Sequence, residues 1–493
     1  MRERGPRAIA ATLLAVCVFA TAPAHAQAGL GHLEDATVVP RGLFRLRAIT
    51  AWTRYDSRFT SDGIEPLGAP FTADSLGPVQ LPTLAPIQTL VQSVSASPFT
   101  MSLGRSRLGA MGRQEVLPIG FEYGLTNRLT VGVTIPVVRT RIAAHFQLDS
   151  AGANVGANLH GSSAAARQAN LAVQAQFADA AAQLQARLTF CTASTASPGC
   201  PELLAREPEA QALLLSSQAF ALDVESLYGG VDANGQPFVP VAQSAAQAAI
   251  ALRVSDFNSS YRDLLASGVD LISAVPAGAG GPAGTAQIQE YLHGQLGRDS
   301  LTMQERVGFG DVEFGVRALL LDRPATRERR AGAQVLLATG IRLPTGSRQS
   351  PSELMDLSLG SGGVTTDIRA VADLRFARAG LLTTGAFQVT QAEDGATRGD
   401  RHAFSVHLAP RWHLSEPLSV HAAYTHRDGD LAGAMQFVGG GVTLSTLSTF
   451  RRGGGPLPME MRFTHLEAIG GEPGQPKYFR DQIELRIYFR GPR

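Results

Sequence analysis

The sequence predicts an all-β transmembrane barrel of about twelve antiparallel strands, carrying a helical insertion. Three observations lead there. From about Arg41 onward, runs of eight to eleven residues alternate apolar and polar side chains and end in turn residues. The chain opens on what reads as an export signal. After that signal no stretch approaches eighteen apolar residues, so a bundle of membrane helices is not expected.

The clearest run is 404–414. Phe404, Val406, Leu408, Trp412 and Leu414 share one parity, and Ser405, His407, Arg411 and His413 share the other. Successive side chains of a strand point to opposite faces, so a period of two sets an oily row against a charged one. In a soluble sandwich the oily row would be a core face. In an exported chain that repeats the pattern to its end, it is expected to face lipid.

At the N-terminus Arg2, Arg4 and Arg7 precede an apolar run from Ala8 to Ala22 and then Ala24-His25-Ala26. This order of basic, apolar and small residues predicts a signal peptide over 1–26, cleaved after Ala26. A lipoprotein reading of Leu14-Ala15-Val16-Cys17 is disfavoured by the bulk of Val16. Losing the signal moves the net charge from +1 to −1. Near-neutrality gives no support to a nucleic-acid partner. Overall hydropathy is also near zero, as expected when alternation dilutes the lipid-facing residues. The rest divides into 27–144 (first barrel strands and an external loop), 145–300 (an Ala/Gln-rich helical insert) and 301–493 (the remaining strands).

Taken in order, strand 43–53 sets Phe44, Leu46, Ala48 and Trp52 outward and Arg45 and Arg47 inward. The hairpin 115–138 turns at Thr126-Asn127. Further strands are expected at 312–321, 333–343, 367–376, 380–390, 403–414, 418–426, 434–447, 458–467 and 481–489. The run 434–447 changes parity at Gly439-Gly440-Gly441, which predicts a bulge there. Connections alternate: Thr126-Asn127, 322–332, Ala377-Arg378-Ala379, Ser415-Glu416-Pro417 and 448–457 are short, whereas 54–114, 139–311, 344–366, 391–402, 427–433 and 468–480 are mostly longer. Short periplasmic turns, long external loops and an even strand number are the pattern of outer-membrane barrels.

Arginine on the lipid face near the midplane would cost about 2–4 kcal/mol, so the charged parity belongs inside. Twelve strands about 4.8 Å apart make a backbone cylinder about 24 Å across, a width for small solutes. Arg342, Arg369, Asp373, Arg375, His407, Arg411, Glu484 and Arg486 are the candidate pore-lining residues. Arg342, Arg369, Arg375 and Arg411 are the ones expected at a selectivity constriction. Any of these charges could instead pair across strands and simply hold the wall together.

The insert differs in kind. Leu171, Val173, Phe177, Ala181, Leu184 and Leu188 recur at three- and four-residue spacing over 162–190, and 202–227, 241–266 and 286–296 also read as helical. Its role as a cap, a plug or a partner-binding unit stays open. Cys191 and Cys200, the pair left after the signal, are expected to form a local disulfide in an exported protein.

Several motifs point nowhere catalytic. Tyr424-Thr425-His426 resembles the histidine stretch of outer-membrane phospholipases, but Arg427-Asp428 follow where a serine nucleophile is needed. His402, His407, His413, His421 and His426 are spread over adjacent strands without the convergence a metal needs. Gly308-Phe309-Gly310-Asp311 opens a strand, not a helix, so it is read as a turn and not as a phosphate cradle. No enzyme activity, cofactor or metal is expected.

Glu122-Tyr123-Gly124-Leu125-Thr126-Asn127-Arg128-Leu129, followed by Ile135-Pro136, resembles a hairpin of the MetA-pathway phenol-degradation family of outer-membrane transporters. Gly308-Phe309-Gly310-Asp311-Val312 and Thr339-Gly340-Ile341-Arg342-Leu343-Pro344-Thr345-Gly346 resemble it too, in the same order along the chain. The resemblance spans roughly 115–140 and 308–489. It implies an outer-membrane channel of a Gram-negative-type bacterium for passive uptake of small molecules, aromatic or hydrophobic ones among them. Outer-membrane lipid, the barrel-assembly machinery and small-molecule solutes would be its partners. The helical insert, and the Arg490-Gly491-Pro492-Arg493 that follows Phe489, depart from the family pattern. The rival reading is a surface protein whose barrel is an anchor and whose insert binds a partner, without transport.

Overall fold

Alternating runs of this kind have one way to satisfy their backbone in lipid: each strand must pair on both sides, with no edge left over. The computed structural model of the chain does this. It describes residues 35–295, 303–324, 331–347, 359–376, 381–393, 400–429, 433–454 and 457–490. The expected signal peptide, the Ala377–Ala379 turn and the terminal 491–493 lie outside the described residues.

Twelve barrel strands are present among the described residues. They are β1 (Leu43–Thr60), β2 (Arg105–Gly124), β3 (Leu129–Asp149), β4 (Gln304–Phe309 continued by Glu313–Arg323), β5 (Ala331–Arg342) and β6 (Thr365–Phe376). There follow β7 (Leu381–Glu393), β8 (Asp400–His413), β9 (Leu418–Gly429), β10 (Met435–Ser445), β11 (Met459–Gly471) and β12 (Pro476–Arg490). Each pairs with the next in sequence, and β12 pairs with β1 from Leu43↔Arg490 to Arg58↔Pro476, closing the ring. At this seam the Phe44 ring lies between Tyr123, at 4.7 Å, and Phe489, at 5.7 Å, an aromatic row across three strands near the turn end. Such rows belong to the membrane interface.

The two faces are chemically opposite. Outward Ile368, Leu408 and Phe314 are 58%, 48% and 47% exposed, while inward Arg45, Arg462 and Glu484 are 1–2% exposed. A soluble protein would not leave such a belt open to water, at about 25 cal/mol for each Å² of apolar surface.

Two expectations are corrected. The parity does not change at Gly439–Gly441. Met435 and Phe437 point inward and join Tyr55, Phe59, Ala468 and Tyr478 in a buried apolar cluster. The irregularity sits instead opposite Gln436–Phe437, where β11 carries Ile469 as the extra residue. Reading every apolar side chain as lipid-facing produced the false parity change. The glycines have another cause: a Cβ at Gly439 or Gly441 would run into the carbonyls of His465 and Phe463 on β11. Likewise, Gly308–Asp311 does not precede a strand but interrupts β4, which starts earlier at Gln304.

The chain falls into two compact units. The barrel unit takes Met1–Leu67, Gly109–His145 and Gly297–Arg493. A small helix, α7 (Leu447–Arg451), lies in the β10–β11 connection of this unit, and Arg452 just after it pairs with Glu416.

The second unit joins Gly68–Leu108 to Phe146–Leu296. Its helices are α1 (Ala85–Ser95), α2 (Ala164–Ala193), α3 (Cys200–Ala205), α4 (Glu207–Tyr228), α5 (Ala245–Leu265) and α6 (Thr285–Glu290). Ser163 and Ser244 cap α2 and α5, each accepting from the N–H three residues on. The core forms around the rings of Phe177, Phe220 and Phe257, whose centroids are 5.1–5.6 Å apart. Arg253 of α5 donates to the carbonyl of Val94 at 3.0 Å and so ties in α1, which lies in the stretch expected as loop. In this unit the sulfurs of Cys191 and Cys200 are bonded, with Cα atoms 5.1 Å apart.

Candidate functional site

The inner wall of the barrel unit holds two populations of charge. On β1, β11 and β12, Arg47 Nε lies 2.5 Å from Glu484 Oε1, and Arg486 Nε lies 2.8 Å from the same oxygen. Arg462 Nη2 is 3.3 Å from Glu460 Oε1. From β1 onward round the ring, Arg45 pairs with Glu122 on β2, Arg342 Nη2 on β5 lies 3.4 Å from Glu313 Oε2 on β4, and Arg369 Nη2 lies 3.3 Å from Asp367 Oδ2 on β6. Arg47–Glu484, Arg45–Glu122 and Arg342–Glu313 join adjacent strands, and the other three pairs join residues two apart on one strand, because residues of equal parity share a face.

Between these walls runs a piece of the chain that precedes β1. The Asp35 carboxylate is buried, with Oδ2 2.8 Å from Arg486 Nη1 and 3.2 Å from Arg462 Nη2. The next residue, Ala36, donates its N–H to Asp373 Oδ2 on β6 at 3.0 Å. In the ring β6 stands opposite β12. Two successive residues therefore bond to opposite walls, and the chain crosses the lumen. Val39 then donates its N–H to Thr130 Oγ1 on β3 at 2.9 Å. Ala36 and Val38 pack on inward Leu336, Ala338 and Val371. This explains why Leu336 and Val371 are apolar although they face inward. Burial opposes ionisation of Asp35, but the Arg486, Arg462 and Arg411 guanidiniums outweigh it and hold its carboxyl well below the usual carboxylate range.

Of the residues read from sequence as pore-lining, the structure gathers Asp373, Arg411, Glu484 and Arg486 around this crossing segment. His407 is buried on the same face, its Nδ1 2.9 Å from Thr425 Oγ1. Arg342 and Arg369 stand apart on β5 and β6, engaged with Glu313 and Asp367. Arg375 is exposed at the end of β6 and does not join either group. Arg342, Arg369, Arg375 and Arg411 thus do not converge.

Two features escaped the sequence reading. Asp35 carries no signal beyond being an acidic residue ahead of the first strand. A row of inward glycines, Gly132↔Gly315↔Gly340, crosses β3, β4 and β5 in register and leaves a polar niche beside Glu122, Arg317 and Asp367. Glycine at matched parity on three consecutive strands was the available clue. Among the described residues no cluster of three His, Cys, Asp or Glu side chains is arranged to hold a metal. No helix among them is long and apolar enough to cross a membrane, which says nothing of a barrel.

Closed sheet, oily exterior and charged interior define an outer-membrane-type β-barrel. Comparison with known proteins adds the following. No family model matches the chain, and no curated protein matches it. Among solved structures, it is similar to an outer membrane channel from Pseudomonas putida F1, with a TM-score of 0.40 at 9% identity, covering 92% of this chain and 98% of that one. It is also similar to the translocator domain of the autotransporter NalP from Neisseria meningitidis, with a TM-score of 0.31 at 6% identity, covering 92% and 90%. The Pseudomonas putida toluene transporter TodX matches with a TM-score of 0.25 at 9% identity, covering 91% and 89%.

Proposed function

We propose that the chain is an outer-membrane channel for passive entry of small molecules, hydrophobic and aromatic ones included, made as a precursor whose residues 1–26 are a signal peptide. The observation that carries this reading is a lumen wall with two kinds of surface. Glu484 and Arg486 are buried at the turn end, and further along the same strands Tyr55, Phe59, Phe437 and Tyr478 form an inward apolar cluster beside the buried Arg58, Arg427 and Arg480. A barrel serving only as an anchor has no use for an inward aromatic cluster. A solute with an apolar body does, because burial of its surface favours entry while the charged wall keeps the path wet. The resemblance of Glu122–Leu129 and Thr339–Gly346 to the phenol-degradation transporters supports the same reading.

The test is uptake of benzyl alcohol and of a sugar of similar size by proteoliposomes holding the full mature chain, with cell fractionation alongside. Faster entry of the aromatic solute, and recovery from the outer membrane, support the proposal. No flux above empty liposomes removes it in favour of the anchor.

A further inference from the structure

We propose that Arg462 and Arg486 form a carboxylate-binding site on the lumen wall, which Asp35 of the chain's own N-terminal segment fills in this structure and which a small solute carboxylate takes over as it passes. The inference rests on the channel reading and deepens it by naming a substrate class, small organic acids.

The geometry is that of a bound carboxylate. One oxygen, Asp35 Oδ2, receives Nη1 of Arg486 at 2.8 Å and Nη2 of Arg462 at 3.2 Å. Two guanidiniums converging on one oxygen is how proteins hold anionic ligands. The wall itself is unbalanced around this point. Arg47, Arg411, Arg462 and Arg486 stand against Glu460 and Glu484, and Asp35, which is not part of any strand, supplies the further negative charge. His407 and His421 border the same patch. Asp373 faces it from β6 but is engaged by Ala36 N–H and by Thr384 Oγ1, the latter at 2.7 Å.

The consequence follows from the cost of unpaired buried charge. Pulling Asp35 away without replacement leaves two buried guanidiniums short of an anion, which is strongly unfavourable. An incoming carboxylate restores the same contacts, so exchange avoids that penalty, whereas a neutral solute cannot offer it. The hydrogen bonds of Ala36 and Val39 hold the crossing segment to β6 and β3, so releasing Asp35 loosens one end of a bar across the lumen.

Benzoate and its neutral isostere benzamide separate the outcomes, using the full mature chain as wild type, Asp35→Asn and Asp35→Asn/Arg462→Gln/Arg486→Gln. Barrel formation in each is checked by heat-modifiable gel mobility. Asp35→Asn is expected to bind benzoate about tenfold tighter than wild type in calorimetry and to raise its flux, because the internal competitor is gone. The triple variant should lose this binding, with the benzoate-to-benzamide flux ratio falling to that of the neutral pathway. If the triple variant does not assemble, Asp35→Asn/Arg462→Gln gives the same comparison with Arg486 still paired to Glu484. Benzoate and benzamide flux that is equally indifferent to Asp35 and to the arginines would overturn the site and keep the channel. Arginine-dependent benzoate binding without flux would keep the site and remove the channel.

Discussion

Asp311 Oδ1 accepts the backbone N–H of Gly346 at 2.9 Å, joining the break in β4 to the loop that follows β5. Its other oxygen accepts both the N–H and the hydroxyl of Ser361, at 2.7 and 2.8 Å. In the same place Thr345 Oγ1 donates to the Gly310 carbonyl and accepts from Val312 N–H, each at 2.9 Å. The two short motifs that resemble one transporter family, Gly308–Val312 and Thr339–Gly346, are therefore one structural device. Close to it, Leu359 packs on the lumenal Val116 and Val138.

Asp311→Ala is accordingly expected to destabilise the barrel unit by about 2–4 kcal/mol, because a buried carboxylate with three donors is lost and the donors are left unpaired. Conductance should rise as Leu359 comes free. Gly346→Ala should act in the same direction, since its Cβ would fall 2.8 Å from the Gly360 Cα. Urea unfolding in liposomes and single-channel recording check both.

The pH response follows from Asp35. Its carboxyl is held below the ordinary value of 3.8 by Arg486, Arg462 and Arg411 against the opposing effect of burial, with Glu460, Glu484 and Asp373 also facing it. A lowered folded-state value means that the stabilisation is present above the ordinary carboxylate range and is lost as pH falls through the lowered value. Conductance should be flat from about pH 8 to about pH 5 and rise only in stronger acid, where the protonated Asp35 lets go. A rise near neutrality would contradict this.

Buried and exposed ion pairs should behave differently. Glu122→Gln leaves the 1%-exposed Arg45 without its anion and is expected to cost about 3–5 kcal/mol. Glu416→Gln at the surface pair with Arg452 should be nearly silent. Equilibrium unfolding of the two variants side by side measures the contrast.

The lipid-facing assignment is tested at Leu408, in the middle of β8 and 48% exposed. Leu408→Arg should cost about 2–4 kcal/mol and slow insertion, as expected for a cation on the outer face at midplane depth. Thr425→Ser, on the inner face, should insert normally.

In the helical unit, Cys191→Ser/Cys200→Ser removes a bond between residues nine apart. A loop this short gives a loss of about 2–3 kcal/mol, read as an earlier unfolding step of that unit with the barrel unchanged.

Much of this architecture is legible along the chain. Alternation in 404–414 or 481–489 is a local property, and it sorts Arg411 and Leu408, or Glu484 and Leu485, onto opposite faces without knowledge of any neighbour. It failed at Met435 and Phe437, since period two identifies two faces but not which one meets lipid when both carry apolar residues. Leu336 and Val371 are apolar for a reason that lies elsewhere in the chain, the contact with Ala36 and Val38 inside the lumen. The stretch 68–108 read as loop because its one helix, with Ile87, Val91 and Val94 buried, is short and lies among turn residues.

Strand count and the alternation that turns Arg411 and Glu484 inward were thus present in the order of residues, because a pleated strand converts sequence spacing directly into direction. Which charges meet was not. Arg47 and Glu484 are separated by 437 positions and Asp35 and Arg486 by 451, yet each pair touches. Ring closure and register bring them together. No local pattern encodes that, since it depends on how the last strand finds the first and on a short leading segment that no ladder holds.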